Sequence, residues 1–394
     1  MVKHHENLTL SWHGENVNPV AVERALSQML RKLAPPSEDG QEHPPARASV
    51  LSLIVRAADA EQGEQAMAML GQLVEHYPSR TLMLTVDPAA PDSGLDAWAS
   101  VYCLLHLAGS ALVCFEQVRL AARGATAHHL ASVAEPLLIP DLPVYLWWLG
   151  DPPTPGDNLL SLCDRLIVDT SQCEEGMLAR VAELVTVLPP RTAVADLAWT
   201  ALRPWREALA SLFDPPETRV YQRSLQSVRV EYVPCSSPSR PLLLLGWLAS
   251  SLGWQVASRA EGAAEDSLVV SFSAGAGSVE ATLKAVPPSP EAKPGGVAGV
   301  LLSSEYEGRA ASFAVTLGKP EGSAILHTAL PDRAEITRSI RFVELSMAML
   351  LGRELERLGM ESQYYASLSM VEQVLKLIGA HREDHSLQTG SASL

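Results

Sequence analysis

PLLIPDLPVYLWWLG, Pro136 to Gly150, is the stretch whose reading decides the fold. It is too apolar to lie in water. Pro140, Asp141 and Pro143 interrupt it too often for a bilayer span, which takes roughly 20 apolar residues. The prolines end a helix. Val144-Tyr145-Leu146-Trp147-Trp148 then reads as a strand buried on both faces, as in a parallel sheet.

Upstream, strands and helices alternate. Asn18-Pro19 forms the N-cap and first residue of a helix carrying Val22, Leu26, Met29, Leu30 and Leu33 on one face. Residues 34–47 are proline-rich and acidic, an expected exposed linker. Ser49–Val55 is a strand, Glu61–Tyr77 a helix, Thr81–Val86 a strand, Leu95–Leu107 a helix and Ala111–Ala121 a strand. Thr126 is expected to cap a helix with Leu130, Val133, Ala134, Leu137 and Leu138 at helical spacing. Downstream, Leu166–Val168 is a short strand. Ser171 and Glu174 make a capping box for a helix to about Val187, and Ala193–Ala195 is a last strand. Strands separated by helices can pair in parallel through right-handed crossovers. The first half is therefore expected to be a doubly wound, mainly parallel α/β domain, residues 49–214, preceded by residues 1–48. The DPPE at Asp214 to Glu217 marks its end.

The second half, residues 215–394, has a different texture. Ser227–Val233 alternates as a strand and Leu242–Leu252 is a buried helix. Strands follow at Ser267–Phe272, Val279–Ala285, Val297–Ser304, Ala310–Leu317 and Ala324–Thr328 with short loops between them. Helices are expected at Ser339–Leu358 and Tyr364–Ile378, with a frayed tail from Ala380. This reads as a smaller α+β domain built on an antiparallel meander.

With 394 residues, 47% hydrophobic, the chain can bury a large core. Its net charge of −15 and the lack of a Lys/Arg stripe argue against a nucleic-acid or anionic-membrane partner. No signal-peptide layout opens the chain, so a cytoplasmic protein is expected. The sequence lacks a Walker A motif, GxGxxG, GxSxG and HExxH. No cofactor is expected, and no metal either, because His128 and His129 are adjacent and point about 100° apart on a helix, and His381, Glu383, Asp384 and His385 lie in an expected frayed tail.

The carboxyl edge of the parallel sheet would carry Asp87, Gly150-Asp151, Asp169 and Asp196, where such folds bind ligands. The alternative is that these aspartates cap helices and turns. Glu116, Arg119 and Arg123 suggest a buried Glu–Arg pair at a strand end. Trp147 and Trp148 point to opposite faces, either as core or with one ring offered to a partner. Trp199, Arg203, Trp205 and Arg206 gather the residue types of interface hot spots, or else pack domains together. The five cysteines include no CxxC. Cys103 and Cys114 sit in apolar runs and read as free buried thiols. Cys163 and Cys173 bracket a strand and a helix start, and a regulatory pairing is the sharper reading of them.

FEQVRLAARG (Phe115–Gly124), PLLIPDLPVYLWWLG and DLAWTALRPWREALASLFD (Asp196–Asp214) together resemble the OpcA family of glucose-6-phosphate dehydrogenase assembly proteins. GWLASSLGW, Gly246 to Trp254, is similar to that family's second-half signature. The resemblance implies a non-catalytic partner that binds glucose-6-phosphate dehydrogenase and promotes its active oligomeric state. It would thereby feed NADPH production in the oxidative pentose phosphate pathway. On this reading Trp148, Arg203, Trp205 and Arg206 are the candidate partner surface. Cyanobacterial members tie activation to thioredoxin-sensitive cysteines. No cysteine follows Cys235 here, which leaves Cys163 and Cys173 as the candidate redox pair. The competing expectation is an enzyme or sensor that binds a phosphosugar or nucleotide at Asp87, Asp169 and Asp196.

Overall fold

A computed structural model of the chain describes residues 8–33, 49–73, 76–105, 112–172, 176–236, 238–259, 267–275 and 277–390. The expected linker at 34–47, Cys173 and Glu174 of the expected capping box lie outside them. In chain order the elements are β1 (Leu8–Gly14), α1 (Pro19–Leu33), β2 (Leu51–Arg56), α2 (Ala60–Gly71), β3 (Ser79–Asp87), β4 (Gly94–Leu105), β5 (Leu112–Arg123), α3 (Leu130–Ala134), β6 (Val144–Trp148), β7 (Arg165–Val168), α4 (Met177–Val187), β8 (Ala193–Asp196), α5 (Leu197–Ala201), α6 (Arg203–Ser211) and α7 (Pro216–Gln222). There follow β9 (Leu225–Tyr232), α8 (Ser239–Ser251), β10 (Gln255–Arg259), β11 (Ser267–Ala274), β12 (Gly277–Ala285), β13 (Val297–Tyr306), β14 (Arg309–Gly318), β15 (Ser323–Ala329), β16 (Ile336–Arg341), α9 (Met347–Glu356) and α10 (Ser362–Gly390). Two compact units form, and they are not consecutive in sequence. The first takes Met1–Asp169, Val187–Ala195 and Met347–Gly359, and the second takes the remainder.

The first unit holds an eight-stranded sheet in the order β1-β4-β5-β3-β2-β6-β7-β8. β5, β3, β2, β6 and β7 run parallel, so the expected mainly parallel α/β sheet is present. All five residues of β6 are buried between parallel neighbours, which is why this strand is a continuous apolar run. Pro143 and the left-handed Asp141, at φ 65°, end the preceding helical turns. Helix α1 begins as expected, with Asn18 Oδ1 accepting from Ala21 N at 3.0 Å.

Three expectations for this unit are corrected. The segment expected to be helical over Leu95–Leu107 is strand β4, antiparallel to β5. Leu95, Ala97, Ala99, Val101 and Cys103 are buried, while Trp98 and Tyr102 are exposed. That period is two, and it outweighs the helix propensity of the alanines. Thr126 caps no α-helix. Residues Gly124–His129 form a 3₁₀ turn, α3 has only five residues, and Glu135–Leu137 is 3₁₀ again with Pro136 at its start. Proline lacks the N–H that an α-helical ladder needs there. Gly124 has φ +55°, and a Cβ on it would sit 2.7 Å from Asp92 O. The helix expected to reach Tyr77 ends at Gly71.

The β4–β5 hairpin also revises the cysteine reading. Cys103 and Cys114 stand directly opposite one another in the ladder and are joined by a disulfide. A helix over 95–107 would have hidden that partnership. The bond closes a loop of 11 residues, which constrains the unfolded chain by about 2–3 kcal/mol. Unfolding free energies from denaturant melts with and without reductant should differ by that much. Equal free energies would show that the bond adds nothing.

The expected Glu–Arg pair exists with a different arginine. Parallel pairing sets Arg80 of β3 beside Glu116 of β5, and Arg80 Nε meets Glu116 Oε2 at 2.6 Å. Arg123 instead pairs with Asp96 and Asp92. A second buried pair, Arg165 Nη2 to Glu354 Oε2 at 2.6 Å, ties α9 to β7.

The second unit holds an eight-stranded sheet in the order β10-β11-β12-β9-β13-β14-β15-β16. It is antiparallel except at β9–β12, which are parallel. Val228, Val230, Ala281, Leu283, Val300, Leu302, Phe313 and Val315 are buried on one face, where α8 contacts β9 and β12. Helices α8 and α10 cross at Gly246, whose added Cβ would lie 2.6 Å from Ser367 O. The helix expected from Ser339 is corrected: Ile336–Arg341 is strand β16, paired with β15, and α9 starts only at Met347. Val343 and Leu358, assigned to the apolar face of that helix, are exposed. The tail expected to fray from Ala380 continues as helix to Gly390.

Candidate functional site

The parallel sheet changes winding direction between β2 and β6, and this is where doubly wound folds place ligands. The carboxyl ends there are Arg56 and Trp148. The guanidinium of Arg56 lies over the Trp148 ring at 5.5 Å and donates to Ala57 O. Burial lowers its pKa, and Asp157 partly opposes that shift. Trp148 Nε1 donates to Asp151 O at 2.6 Å. A ligand phosphate in such a fold would sit on the N-terminus of α2. Here Asp59 Oδ1 accepts from Gln62 N at 2.8 Å and Gln62 Oε1 accepts from Ala58 N at 2.8 Å. This reciprocal Asp-x-x-Gln cap ties up Gln62 N and Ala58 N and puts a carboxylate where the phosphate would go. The Asp59-x-x-Gln62 spacing is the signal in the sequence that announces this cap.

Two of the three candidate ligand aspartates, Asp87 and Asp196, accept from backbone amides. Asp87 Oδ1 accepts from Ala89 N in a turn at 3.2 Å. In the second unit Asp196 is 1% exposed. It caps α5 through Ala198 N at 2.9 Å and binds Thr170 through N at 3.1 Å and Oγ1 at 2.7 Å. Asp169 is buried at the end of β7.

Most of the candidate partner residues are held in packing within their own units. Trp148, Trp205 and Arg206 are all buried. Arg206 lies 3.6 Å from the Trp199 ring centroid and donates to Trp199 O at 2.8 Å. Trp205 meets Phe342 edge-on at 5.0 Å. Arg203 alone is exposed, in an ion pair with Glu207 at 2.6 Å. Trp205 lines a groove of about 390 Å³ together with Arg240, Lys293, Phe342 and Glu344. Arg240 and Lys293 both pair with Glu344 there.

Of the candidate redox pair, Cys163 is a buried thiol within reach of Leu160 O at 3.5 Å. Burial pushes its pKa up to about 12. It therefore carries almost no thiolate, the form that exchanges with disulfides. Cys173 lies outside the described residues.

The arrangement is that of a two-unit protein with a parallel α/β sheet and an antiparallel sheet, whose usual phosphate seat is closed by a cap of its own. The chain belongs to the OpcA family. Residues 71–184 match the family described as glucose-6-phosphate dehydrogenase subunit N-terminal domain, and residues 192–368 match its C-terminal domain. A protein of Nostoc punctiforme named OxPP cycle protein OpcA is 31% identical over 73% of this chain and 63% of its own length. One of the same name from Synechocystis is 34% identical over 44% of this chain and 37% of its own length. The chain thus spans less than two thirds of these relatives. Among solved structures, yeast Gal80p aligns with a TM-score of 0.47 and 10% identity over 85% of this chain and 97% of its own. A dehydrogenase of Clostridium difficile aligns with a TM-score of 0.40 and 7% identity, covering 83% and 99%. Both likenesses are too loose to carry an activity across.

Proposed function

We propose that this chain is a non-catalytic, cytoplasmic subunit that binds glucose-6-phosphate dehydrogenase and promotes its active oligomeric state. It would thereby support NADPH production in the oxidative pentose phosphate pathway. The observation that carries this reading is the pair of family matches, in order, over residues 71–184 and 192–368. The OxPP cycle names of the relatives agree with it. The capped N-terminus of α2 weighs against the competing phosphosugar- or nucleotide-binding enzyme, because the Asp59 carboxylate sits at the helix end and already accepts from Gln62 N, where a phosphate would sit.

An activator of this kind works by binding the active state of its target more tightly than the inactive one. Couplings of that sort are commonly about 5- to 150-fold. The test is the dehydrogenase's rate against glucose 6-phosphate with and without this chain, alongside light scattering of the mixture after gel filtration. A lower KM or higher kcat, together with a larger co-eluting species, is expected. Separate elution and unchanged kinetics would overturn the reading.

A further inference from the structure

Helix α2 contacts β2 and β3. On the same side of the sheet the neighbouring strands β5 and β4 stay open to solvent. The reason is the hairpin: β4 follows β3 without a crossover helix, so nothing in the chain order supplies a cover there. The open face carries a groove of about 530 Å³ whose lining includes Trp98, Ser100, Tyr102, Gln117 and Arg119. Trp98 is 42% and Tyr102 38% exposed. Trp98 is the one exposed tryptophan among the described residues. His13 of β1 stacks on its ring at 5.0 Å and 19°, which holds the indole in place. The two rings stand four residues apart on one strand, roughly 13 Å. The floor between them is Ser100 opposite Gln117, and Arg119 stands opposite Trp98. Arg119 is exposed and makes no hydrogen bond or ion pair with the described residues.

We propose that this groove is where the partner docks, receiving a segment that places an apolar side chain between Trp98 and Tyr102 and a carboxylate against Arg119. Tryptophan, tyrosine and arginine are the residue types that dominate protein interface hot spots. Rigid aromatic anchors lose little conformational freedom on binding. Arg119 makes no ion pair with the described residues, Glu64 of the same groove included, and is complementary to an acidic partner. The groove lies between α2, through Ala60, Gly63 and Glu64, and the open sheet face, and it is not an enclosed cleft of the kind that buries most of a small ligand. The proposal rests on the functional reading above and names the surface that would serve it.

The experiment titrates labelled glucose-6-phosphate dehydrogenase with the full chain and with three variants: Trp98→Ala, Arg119→Glu and Arg203→Ala. The first two should weaken binding at least about tenfold. Arg203→Ala, at the one exposed residue of the other candidate surface, should bind like the parent. Melting temperatures should barely move, because all three side chains are exposed. Raising the salt concentration should weaken the parent more than Arg119→Glu. Parent binding with unweakened Trp98→Ala and Arg119→Glu overturns this site alone, as does a loss confined to Arg203→Ala. A parent chain that does not bind overturns the functional reading, and the site falls with it. Quenching of Trp98 fluorescence by glucose 6-phosphate alone would overturn the protein-docking assignment in favour of a small-ligand site.

Discussion

Replacing Arg80 with methionine should destabilise the first unit by about 3–5 kcal/mol. Arg80 is 2% exposed and Glu116 1% exposed. The guanidinium reaches Glu116 through Nε at 2.6 Å, and Nη1 reaches both Glu23 Oε2 and Leu137 O at 2.9 Å. Burial alone would lower the arginine pKa, but the hydrogen bonds and charges of Glu116 and Glu23 outweigh it and raise the value. The group is therefore charged at every physiological pH. Methionine fills a similar volume but deprives Glu116 of its counter-charge. Glu23, 36% exposed, can turn to water and should add little. The double variant Arg80→Met, Glu116→Leu removes both charges and should recover most of the loss, since a buried ion pair replaced by apolar groups is often neutral. Denaturant melts of the single and double variants test this. A single-variant loss below about 1 kcal/mol, or a double variant no better than the single, would show that the pair is not the source of stability.

The second large effect is expected at Gly246. Alanine normally favours a helix over glycine by about 0.5–1 kcal/mol. Here its Cβ would meet Ser367 O at 2.6 Å and Val371 Cγ2 at 2.9 Å. The first contact is backbone and cannot rotate away. Forced separation of well-packed elements costs about 1–3 kcal/mol, so Gly246→Ala should be net destabilising. Gly71 is the contrasting case, because nothing lies within 4 Å of a Cβ built there. Gly71→Ala in α2 should be neutral or slightly stabilising. Two melting curves decide it. Stabilisation of both variants would show that α8 and α10 do not cross this tightly.

Much of the scaffold was legible because local pattern and tertiary environment agreed. β6 is a run of five apolar residues in the chain and a doubly covered strand in the sheet. β8, β9 and the β11–β15 strands were readable by the same rule, from alternation bounded by turn residues. The failures fell where two periods competed. β4 is rich in alanine, and only its pairing with β5 made a period of two decisive. The same hairpin brought Cys103 to Cys114, a pairing that spacing along the chain could not reveal. The candidate site was less legible. Trp148, Trp205 and Arg206 have the composition of a hot spot but are buried. Trp98 and Arg119 went unread as a surface because one was assigned to a helix and the other to a strand-end ion pair.

The sequence by itself determined the class of each half and the family, because apolar periodicity and local motifs are properties of neighbouring residues. Only the tertiary structure decided which arginine meets Glu116, which cysteines join, and which aromatic rings face water. Those depend on register between strands, and in a half-buried strand such as β4 a shift of one residue would exchange its buried side chains for exposed ones.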